Sequence, residues 1–205
     1  MVNTRVGILA LQGAVAEHER LLTGLGASVA PVRRPAQLDG LSALVIPGGE
    51  STAIAWLAAS TGLLPAVRER VDAGLAVLGT CAGLILLADR VLDADALAGF
   101  DRVGGLDVTV RRNGYGGQLE SFEADTELSV DGAPGDRMRA AFIRAPIIED
   151  VGPGVETIAR HEGQPIAVRQ GRLVAATFHP EITGEDRLHR LFLDLATQRA
   201  ADFAA

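Results

Sequence analysis

Residues 77–88, VLGTCAGLILLA, place the only cysteine of the chain between two short apolar runs. The first run predicts a buried β-strand and the second a helix, with Gly79 and Gly83 where the chain turns tightly between them. Such a turn raises the side chain of Cys81 above the sheet edge, and the start of a helix favours a thiolate. A small buried core cysteine fits the same letters, so this stretch alone leaves both interpretations open.

The segments around this stretch alternate between strand and helix from residue 5 to residue 90, which predicts a parallel sheet covered by helices on both faces. Four further features complete the expectation. Residues 43–46 form the third strand, a Ser/Thr cap opens a helix at 51–60, one helix covers 82–91, and a last amphipathic helix covers 184–201. From about 100 to 175, short β-like runs predict hairpins and antiparallel additions to the sheet, the run that ends in FHPE among them. With no linker in the pattern, we expect one domain over residues 1–205.

Composition excludes several classes of function. All 19 basic residues are arginine, so the chain can neither form a lysine Schiff base nor carry a phosphate-binding G-x-x-x-x-G-K-[ST] loop. A net charge of −7 argues against nucleic acid or an anionic membrane as a partner. No apolar run is long enough to span a bilayer, and the amino terminus is typical of a first strand, not of a signal peptide. A lone cysteine forms no internal disulfide, which fits a cytoplasmic location.

A cysteine nucleophile needs a base, and the chain has four histidines. We expect His18 on a solvated helix face, His161 at a turn without a partner, and His189 on the surface of the last helix. His179 is different because it ends an apolar run and is followed by Pro180 and Glu181. The proline makes a helix improbable, and in an extended segment residues two apart point to the same side. Glu181 would then orient His179 toward the cysteine, in the chain order Cys, His, Glu.

A second loop, PGGEST at 47–52, follows another predicted strand. Ligands in open α/β sheets bind beyond the carboxyl ends of the strands. Adjacent glycines allow backbone N–H groups to approach a substrate or to turn inward as an oxyanion hole, and the N–H of Ala82 can point at the same oxyanion. The same letters also describe a tight turn with Ser51 as helix cap, and both descriptions can hold together.

Taken together, six stretches of the chain resemble the class I (triad) glutamine amidotransferases, and among them the glutaminase subunits of two-component pyridoxal 5′-phosphate synthases. GTCAG and HPE mark only the superfamily, whereas PGGEST and the segment RRNGYGGQLESFEA at 111–124 are specific to this subunit. The stretches occur in the family's order and span almost the whole chain: LALQG, PGGEST, GTCAGLILLA, RRNGYGGQLESFEA, AFIRAP and FHPE.

The resemblance implies a flavodoxin-like three-layer α/β/α sandwich, with a mostly parallel sheet and antiparallel additions, that hydrolyses L-glutamine to L-glutamate and ammonia. Cys81 would attack the side-chain amide, His179 would carry the proton to the leaving ammonia, and Glu181 would orient His179. The implied glutamine-binding residues are Gly49, Glu50, Ser51, Arg112, Ile143 and Arg144. For the two arginines the chemistry agrees, since they can bind the carboxylate of an amino acid. Gly48 and Ala82 would form the oxyanion hole.

The resemblance also implies a partner. Ammonia would pass to a separate TIM-barrel synthase subunit that takes ribose 5-phosphate and glyceraldehyde 3-phosphate, in a hetero-oligomeric complex. Gln12 and Gly13 would lie near the docking face and help to complete the oxyanion hole. This chain would need no cofactor and no metal. It departs from the family at Tyr115 and Gly117, where phenylalanine and arginine are usual, so any polar contact made by that arginine has no counterpart here.

Three other functions remain open at this point. A glutaminase of histidine or purine synthesis would have the same cysteine, histidine and glutamate, although PGGEST argues against it. Cysteine enzymes similar to the PfpI-type peptidases and glyoxalases typically have histidine directly after the nucleophile, where this chain has Ala82. The third is a non-catalytic flavodoxin-like binding protein.

Overall fold

The computed structural model of the chain describes residues 4–112, 114, 121–130, 135 and 137–202. Within these residues, strands and helices first alternate and then give way to a series of strands. The strands are β1 Arg5–Leu9, β2 Ser28–Val32, β3 Ala43–Ile46, β4 Ala76–Thr80, β5 Ala88–Val91, β6 Leu106–Arg111, β7 Phe122–Leu128, β8 Arg137–Phe142, β9 Ile147–Val151, β10 Glu156–His161, β11 Gln164–Gln170 and β12 Leu173–Ala176. The helices are α1 Val15–Gly24, α2 Ser51–Ala59, α3 Leu63–Asp72, α4 Ala82–Leu87, α5 Pro180–Thr183 and α6 Arg187–Asp202.

Nine strands form one large sheet in the order β2-β1-β3-β4-β12-β11-β10-β7-β8. The first five are parallel to one another, as the alternation of strand and helix predicts. From β12 onward every pairing is antiparallel, so the antiparallel part is an extension of four strands. β12 was expected among the antiparallel additions, but it pairs in parallel with β4 and is antiparallel only to β11. The strand that leads to FHPE therefore lies beside the strand that leads to the cysteine.

The core lies on both faces of the large sheet, because successive side chains of a strand point to opposite sides. Leu44 and Val77 pack with α2, α3 and α4 in one apolar cluster. Their neighbours in sequence, Val45 and Leu78, pack with α1 and α6 in the other. All four of these side chains are buried, which explains why β3 and β4 read as continuous apolar runs. The expected three layers, helix, sheet and helix, are confirmed.

A second sheet of three strands, β5-β6-β9, covers the outer side of α4. Its first strand contradicts the helix expected over 82–91, since α4 ends at Leu87 and the next four residues pair in parallel with β6. Pairing with β6 gives β5 hydrogen-bond partners across an irregularity between Ala88 and Arg90, and Asp89 and Arg90 lie exposed at the surface. No helix in the described part of the chain is long and apolar enough to cross a membrane.

Candidate active site

Four loops meet at one edge of the large sheet, because β1, β3, β4 and β12 are parallel and their carboxyl ends lie together. These loops contain the Gln12–Gly13 pair, the PGGEST segment, Cys81 and His179. These four strands are consecutive in the sheet, and the order β1-β3-β4-β12 places the cysteine between the glycine loop and the histidine. The topology thus collects residues that are up to 167 positions apart in sequence, from Gln12 to His179.

A cavity of about 210 Å³ opens at this edge. It is smaller than the roughly 300–1,000 Å³ of sites for drug-sized ligands, so its volume suits a small metabolite. The structure brings most of the expected site residues to its wall. Its lining residues are Gly13, Ala14, Gly48, Gly49, Glu50, Ser51, Cys81, Ile85, Arg112, Ile143, Arg144, His179 and Ile182.

Cys81 lies on the turn between β4 and α4, as the apolar runs on either side predict. Its backbone has φ 48° and ψ −101°, a conformation that residues with a Cβ rarely adopt. The turn is held by the Cys81 N–H, which donates to the carbonyl of Ala176 at 2.8 Å. Gly83 allows α4 to approach β3, since a Cβ there would lie 2.0 Å from the carbonyl oxygen of Ile46. The strained turn keeps the sulfur at the cavity wall.

His179 and Glu181 are paired, with His179 Nδ1 at 2.7 Å from Glu181 Oε1. The expected extended conformation is wrong, because Pro180 and Glu181 belong to the single-turn helix α5 and His179 precedes its first residue. Proline is well suited to that first position, where its missing N–H would have no helical partner. The first turn of α5 brings the carboxylate to the ring instead, and the Nδ1 contact leaves Nε2 as the nitrogen for the cysteine.

The charge state of His179 follows from its neighbours. Burial lowers the pKa of His179, but hydrogen bonds to Cys81 and Glu181 and the negative charges on both raise it, with a net result of about 10. The imidazole is therefore protonated at neutral pH and can act as a proton donor. Cys81 Sγ also lies 3.9 Å from the carbonyl oxygen of Ile143.

The PGGEST loop packs directly on the ring of His179. A Cβ on Gly48 would lie 2.2 Å from His179 Cε1, so only glycine allows the ring its position. The Gly48 N–H donates to Thr80 Oγ1 at 3.0 Å and therefore does not face an oxyanion in this conformation. The N–H of Ala82, at the start of α4, has no partner within the helix. Of the two expected oxyanion donors, Ala82 alone keeps its N–H for that use.

Glu50 and Arg112 contact each other at the cavity wall. Arg112 Nη2 lies 3.2 Å from Glu50 Oε1 and 3.3 Å from Thr52 Oγ1. The cap of α2 is Glu50 and not Ser51, because the Glu50 carboxylate accepts from the N–H groups of Thr52 and Ala53. Ser51 is instead the first helical residue and is buried. A longer acidic side chain takes the cap because it reaches both orphan N–H groups and the arginine at once.

The loop after β1 is tied to PGGEST through two hydrogen bonds. Gln12 Oε1 accepts from the Glu50 N–H at 2.8 Å, and the Ala14 N–H donates to the Gly48 carbonyl at 3.0 Å. Gly13 has φ 107°, and a Cβ there would lie 1.9 Å from the Gly48 oxygen, so glycine is required. The two loops thus form one wall of the cavity.

Ile143 and Arg144 also line the cavity. Arg144 is a second strained residue, with φ 47°. Ile143 keeps 38% of its surface exposed and so borders the mouth of the cavity. Tyr115 and Gly117, where the sequence departs from the family it resembles, lie outside the described residues.

Two histidines contradict the expectations made for them. His18 and His189, expected on solvated surfaces, are both fully buried behind Glu181. His18 Nδ1 is 2.8 Å from His189 Nε2, and His18 Nε2 is 3.5 Å from Glu181 Oε2. Helical spacing contained the signal, since His18 is four residues from buried Leu22 and His189 three from buried Phe192. His161, at the end of β10, lies against Phe122 and Phe142.

Comparison with known proteins gives a consistent result. The model of the SNO glutamine amidotransferase family matches residues 8–198. A protein of Nocardioides sp. named pyridoxal 5′-phosphate synthase subunit PdxT is 50% identical over 198 residues, which cover 94% of this chain and 96% of that protein. A protein of the same name from Streptomyces coelicolor is 48% identical over 196 residues, with 96% and 95% covered.

Solved structures agree in fold. A crystal structure of a glutamine amidotransferase superposes with a TM-score of 0.85 at 46% identity and covers 94% of this chain and 98% of its own. The structure of PurLQS from Thermotoga maritima has a TM-score of 0.68 at 16% identity, over 94% and 99% of the two chains. At that identity the likeness concerns the fold alone.

Proposed function

The chain belongs to the SNO glutamine amidotransferase family, and from this premise we propose that it hydrolyses L-glutamine to L-glutamate and ammonia for the synthesis of pyridoxal 5′-phosphate. The observation that carries the proposal is that Cys81 and His179 line the same cavity, while the buried carboxylate of Glu181 holds His179 through Nδ1. Relatives of about 50% identity that bear the name of this synthase subunit support the pathway.

In the first half of the reaction, the Cys81 sulfur attacks the side-chain amide carbon of glutamine. The carbonyl electrons move to the oxygen, and the resulting oxyanion is stabilised by the N–H of Ala82. His179 gives its Nε2 proton to the amide nitrogen, so ammonia leaves and a γ-glutamyl thioester remains. The pKa of His179, raised to about 10, supplies the protonated imidazole that this step needs.

In the second half, water attacks the thioester carbon. The now neutral His179 takes a proton from that water through Nε2, while Nδ1 stays bound to Glu181. Collapse of the tetrahedral intermediate breaks the carbon–sulfur bond and releases glutamate. Cys81 then leaves as the thiolate beside a protonated His179, which is the starting state.

Substrate binding is assigned to residues that line the cavity. We place the α-carboxylate of glutamine against Arg112 and Arg144, and the rest of its backbone along the loop of Gly49, Glu50 and Ser51 and against Ile143. Because Arg112 already contacts Glu50, substrate would join an existing charge network and leave neither group unpaired.

The second oxyanion donor belongs to the partner-bound state in this proposal. The Gly48 N–H is occupied by Thr80, and the loop of Gln12 and Gly13 holds the same segment from the other side. We propose that docking of a TIM-barrel synthase subunit on Gln12 and Gly13 rearranges this loop and releases the donor. Ammonia would then pass directly to that subunit. In this proposal the chain acts as one glutaminase domain, since β12 joins the parallel and antiparallel parts within a single sheet. We place its activity in the cytoplasm.

The test of the chemistry is Cys81→Ala, assayed for glutamate release with the purified synthase subunit present. We expect no glutamate above the uncatalysed rate, and His179→Asn should be nearly as inactive because the leaving group would lose its proton donor. His161→Asn is the matched control, since His161 lies against two phenylalanines and not at the cavity. Glutamate release by Cys81→Ala at the wild-type rate would disprove the assignment of the nucleophile.

The test of transfer uses glutamine labelled with ¹⁵N in the side-chain amide. Label should enter pyridoxal 5′-phosphate in the presence of excess unlabelled ammonium, because the ammonia would not equilibrate with solvent. Dilution of the label to the solvent ratio would disprove direct transfer, and failure to co-purify with the synthase subunit would favour a glutaminase of another pathway.

A further inference from the structure

A buried pair of histidines behind Glu181 takes no part in the chemistry described above. His18 on α1 and His189 on α6 are both inaccessible to solvent, and their ring nitrogens are 2.8 Å apart. On its other side, His18 Nε2 reaches Thr80 Oγ1 at 3.1 Å and Glu181 Oε2 at 3.5 Å. The pair therefore links two helices to the residue that precedes the nucleophile and to the carboxylate of the triad.

The carboxylate of Glu181 leaves one oxygen to be satisfied. Oε1 contacts His179, whereas Oε2 accepts no hydrogen bond of good geometry from the residues that the structure describes. A buried carboxylate oxygen without a donor costs free energy, so an arrangement that turns a nearby N–H toward it is favoured. His18 Nε2 is in that position, and it carries a hydrogen in only one of the two neutral tautomers.

Both rings are neutral at pH 7. Burial, with the nearby charges of His189 and His179, lowers the pKa of His18 well below its ordinary value. Burial also lowers the pKa of His189 to about 4, against the weaker opposing effects of the Glu185 backbone and Asp186. A neutral ring has one donor and one acceptor, so the tautomers of the two rings are coupled.

One arrangement of hydrogens directs a ring N–H toward the second oxygen of the carboxylate. His18 carries its hydrogen on Nε2, between Thr80 Oγ1 and Glu181 Oε2, and its Nδ1 then accepts from the Nε2–H of His189. Thr80 Oγ1 can accept from His18 and from the Gly48 N–H together, because a hydroxyl oxygen has two lone pairs.

We propose that His18 is a positioning residue of the triad, which holds Glu181 through its second oxygen, and that His189 fixes the tautomer of His18. This rests on the proposed triad. His18 does not line the cavity, so in this proposal it acts on His179 through Glu181 and not by contact with the substrate. The ionisable groups in this cluster are Cys81 and Glu181 around His179, then Glu181, His179 and His189 around His18, and Asp186 near His189. Among these groups, Glu181 is the one that the Nε2–H of His18 faces.

The test compares two amide variants of His18. Gln places its side-chain nitrogen near the position of Nε2, whereas Asn reaches only the position of Nδ1, so His18→Gln keeps the donor to Glu181 and His18→Asn removes it. We expect His18→Asn to lower kcat on the order of 10- to 100-fold, with the KM for glutamine unchanged. The alkaline limb of its kcat/KM profile should move to lower pH, because a less well held Glu181 stabilises the cationic His179 less. His18→Gln should keep kcat within a few-fold and leave that limb in place.

A purely structural role would give a different result. Both variants would then lose activity alike, with the alkaline limb unmoved, and this outcome would overturn the proposal. If His18→Asn does not fold, ¹⁵N histidine spectra of the wild-type chain decide instead, with hydrogen expected on Nε2 of both His18 and His189. Hydrogen on Nδ1 of His18 would equally overturn the proposal. Those spectra do not depend on turnover, so a failure here is distinguishable from a failure of Cys81→Ala to abolish glutaminase activity.

Discussion

The close packing of Gly48 against His179 predicts a large effect from a single added methyl group. In Gly48→Ala, the new Cβ would lie 2.2 Å from His179 Cε1 and 2.8 Å from Nδ1, the atom that contacts Glu181. Ordinary contact begins at 3.4 Å, so the ring must move by about 1.2 Å. Displacement of a catalytic group by about 1 Å costs on the order of 100-fold in rate. We therefore expect kcat to fall by about 100-fold.

The same substitution should affect folding much less. The obstacle is a side-chain ring and not the backbone, and Gly48 has no positive φ that an alanine would strain. Overpacking of this kind costs about 1–3 kcal/mol. Glutamate release at saturating glutamine measures kcat, and urea unfolding measures the free energy of unfolding on the same preparation.

A matched control is Gly24→Ala, at the last residue of α1. A Cβ on Gly24 would meet nothing within 4 Å, so kcat should not change. The free energy of unfolding should rise by roughly 0.5–1 kcal/mol, because alanine is more favourable than glycine in a helix. A Gly48→Ala protein with wild-type kcat would refute the reasoning, because it would mean that the active ring does not occupy the position against Gly48.

Three further predictions concern binding, pH and packing. Arg112→Gln should raise the KM for glutamine by about 10- to 100-fold, because the substrate would lose a charge-assisted hydrogen bond. Arg111 forms an exposed ion pair, so the control Arg111→Gln should leave the KM unchanged. Equal KM values for the two variants would contradict the assignment. His189 has its pKa lowered from 6.5 to about 4, so the unfolded chain takes up the proton first as pH falls. Through His189 alone, wild type should therefore lose on the order of 3 kcal/mol of stability between pH 6.5 and 4. In urea unfolding, His189→Gln should lose less stability than wild type over this range, with the loss due to His18 remaining. Gly83→Ala should lower the free energy of unfolding by several kcal/mol, since its Cβ would lie 2.0 Å from the backbone oxygen of Ile46; a Tm equal to wild type would contradict this.

The parallel half of the fold was predictable because its central strands, β3 and β4, are buried on both faces. β3 coincides with the predicted Ala43–Ile46, and the strand before the cysteine ends at Thr80 as expected. Continuous apolar runs bounded by glycine or proline leave few other assignments. The residues at the ends of these strands therefore came together as the sequence analysis expected.

Two of the errors have a common physical cause, which is that pairing with strands distant in sequence outweighs the local pattern. Ala88–Val91 continues a helical pattern but pairs with β6, and β12 looks like its antiparallel neighbours but joins β4 in parallel. Proline after His179 suggested an extended chain, although the first position of a helix accepts proline equally well. His18 was assigned to solvent by its charged neighbours, when its spacing from Leu22 placed it inside.

The backbone at Cys81 has an evolutionary consequence. A φ of 48° with ψ of −101° in a residue with a Cβ represents strain of roughly 1–3 kcal/mol, which the neighbouring sheet and helix must offset. Folding alone would favour glycine at this position, and only the chemistry of sulfur favours cysteine. In a descendant that had lost catalysis, selection would no longer keep cysteine at residue 81, and glycine there would relieve the strain. Substitution should therefore begin at residue 81, before it reaches the tightly packed glycines around it.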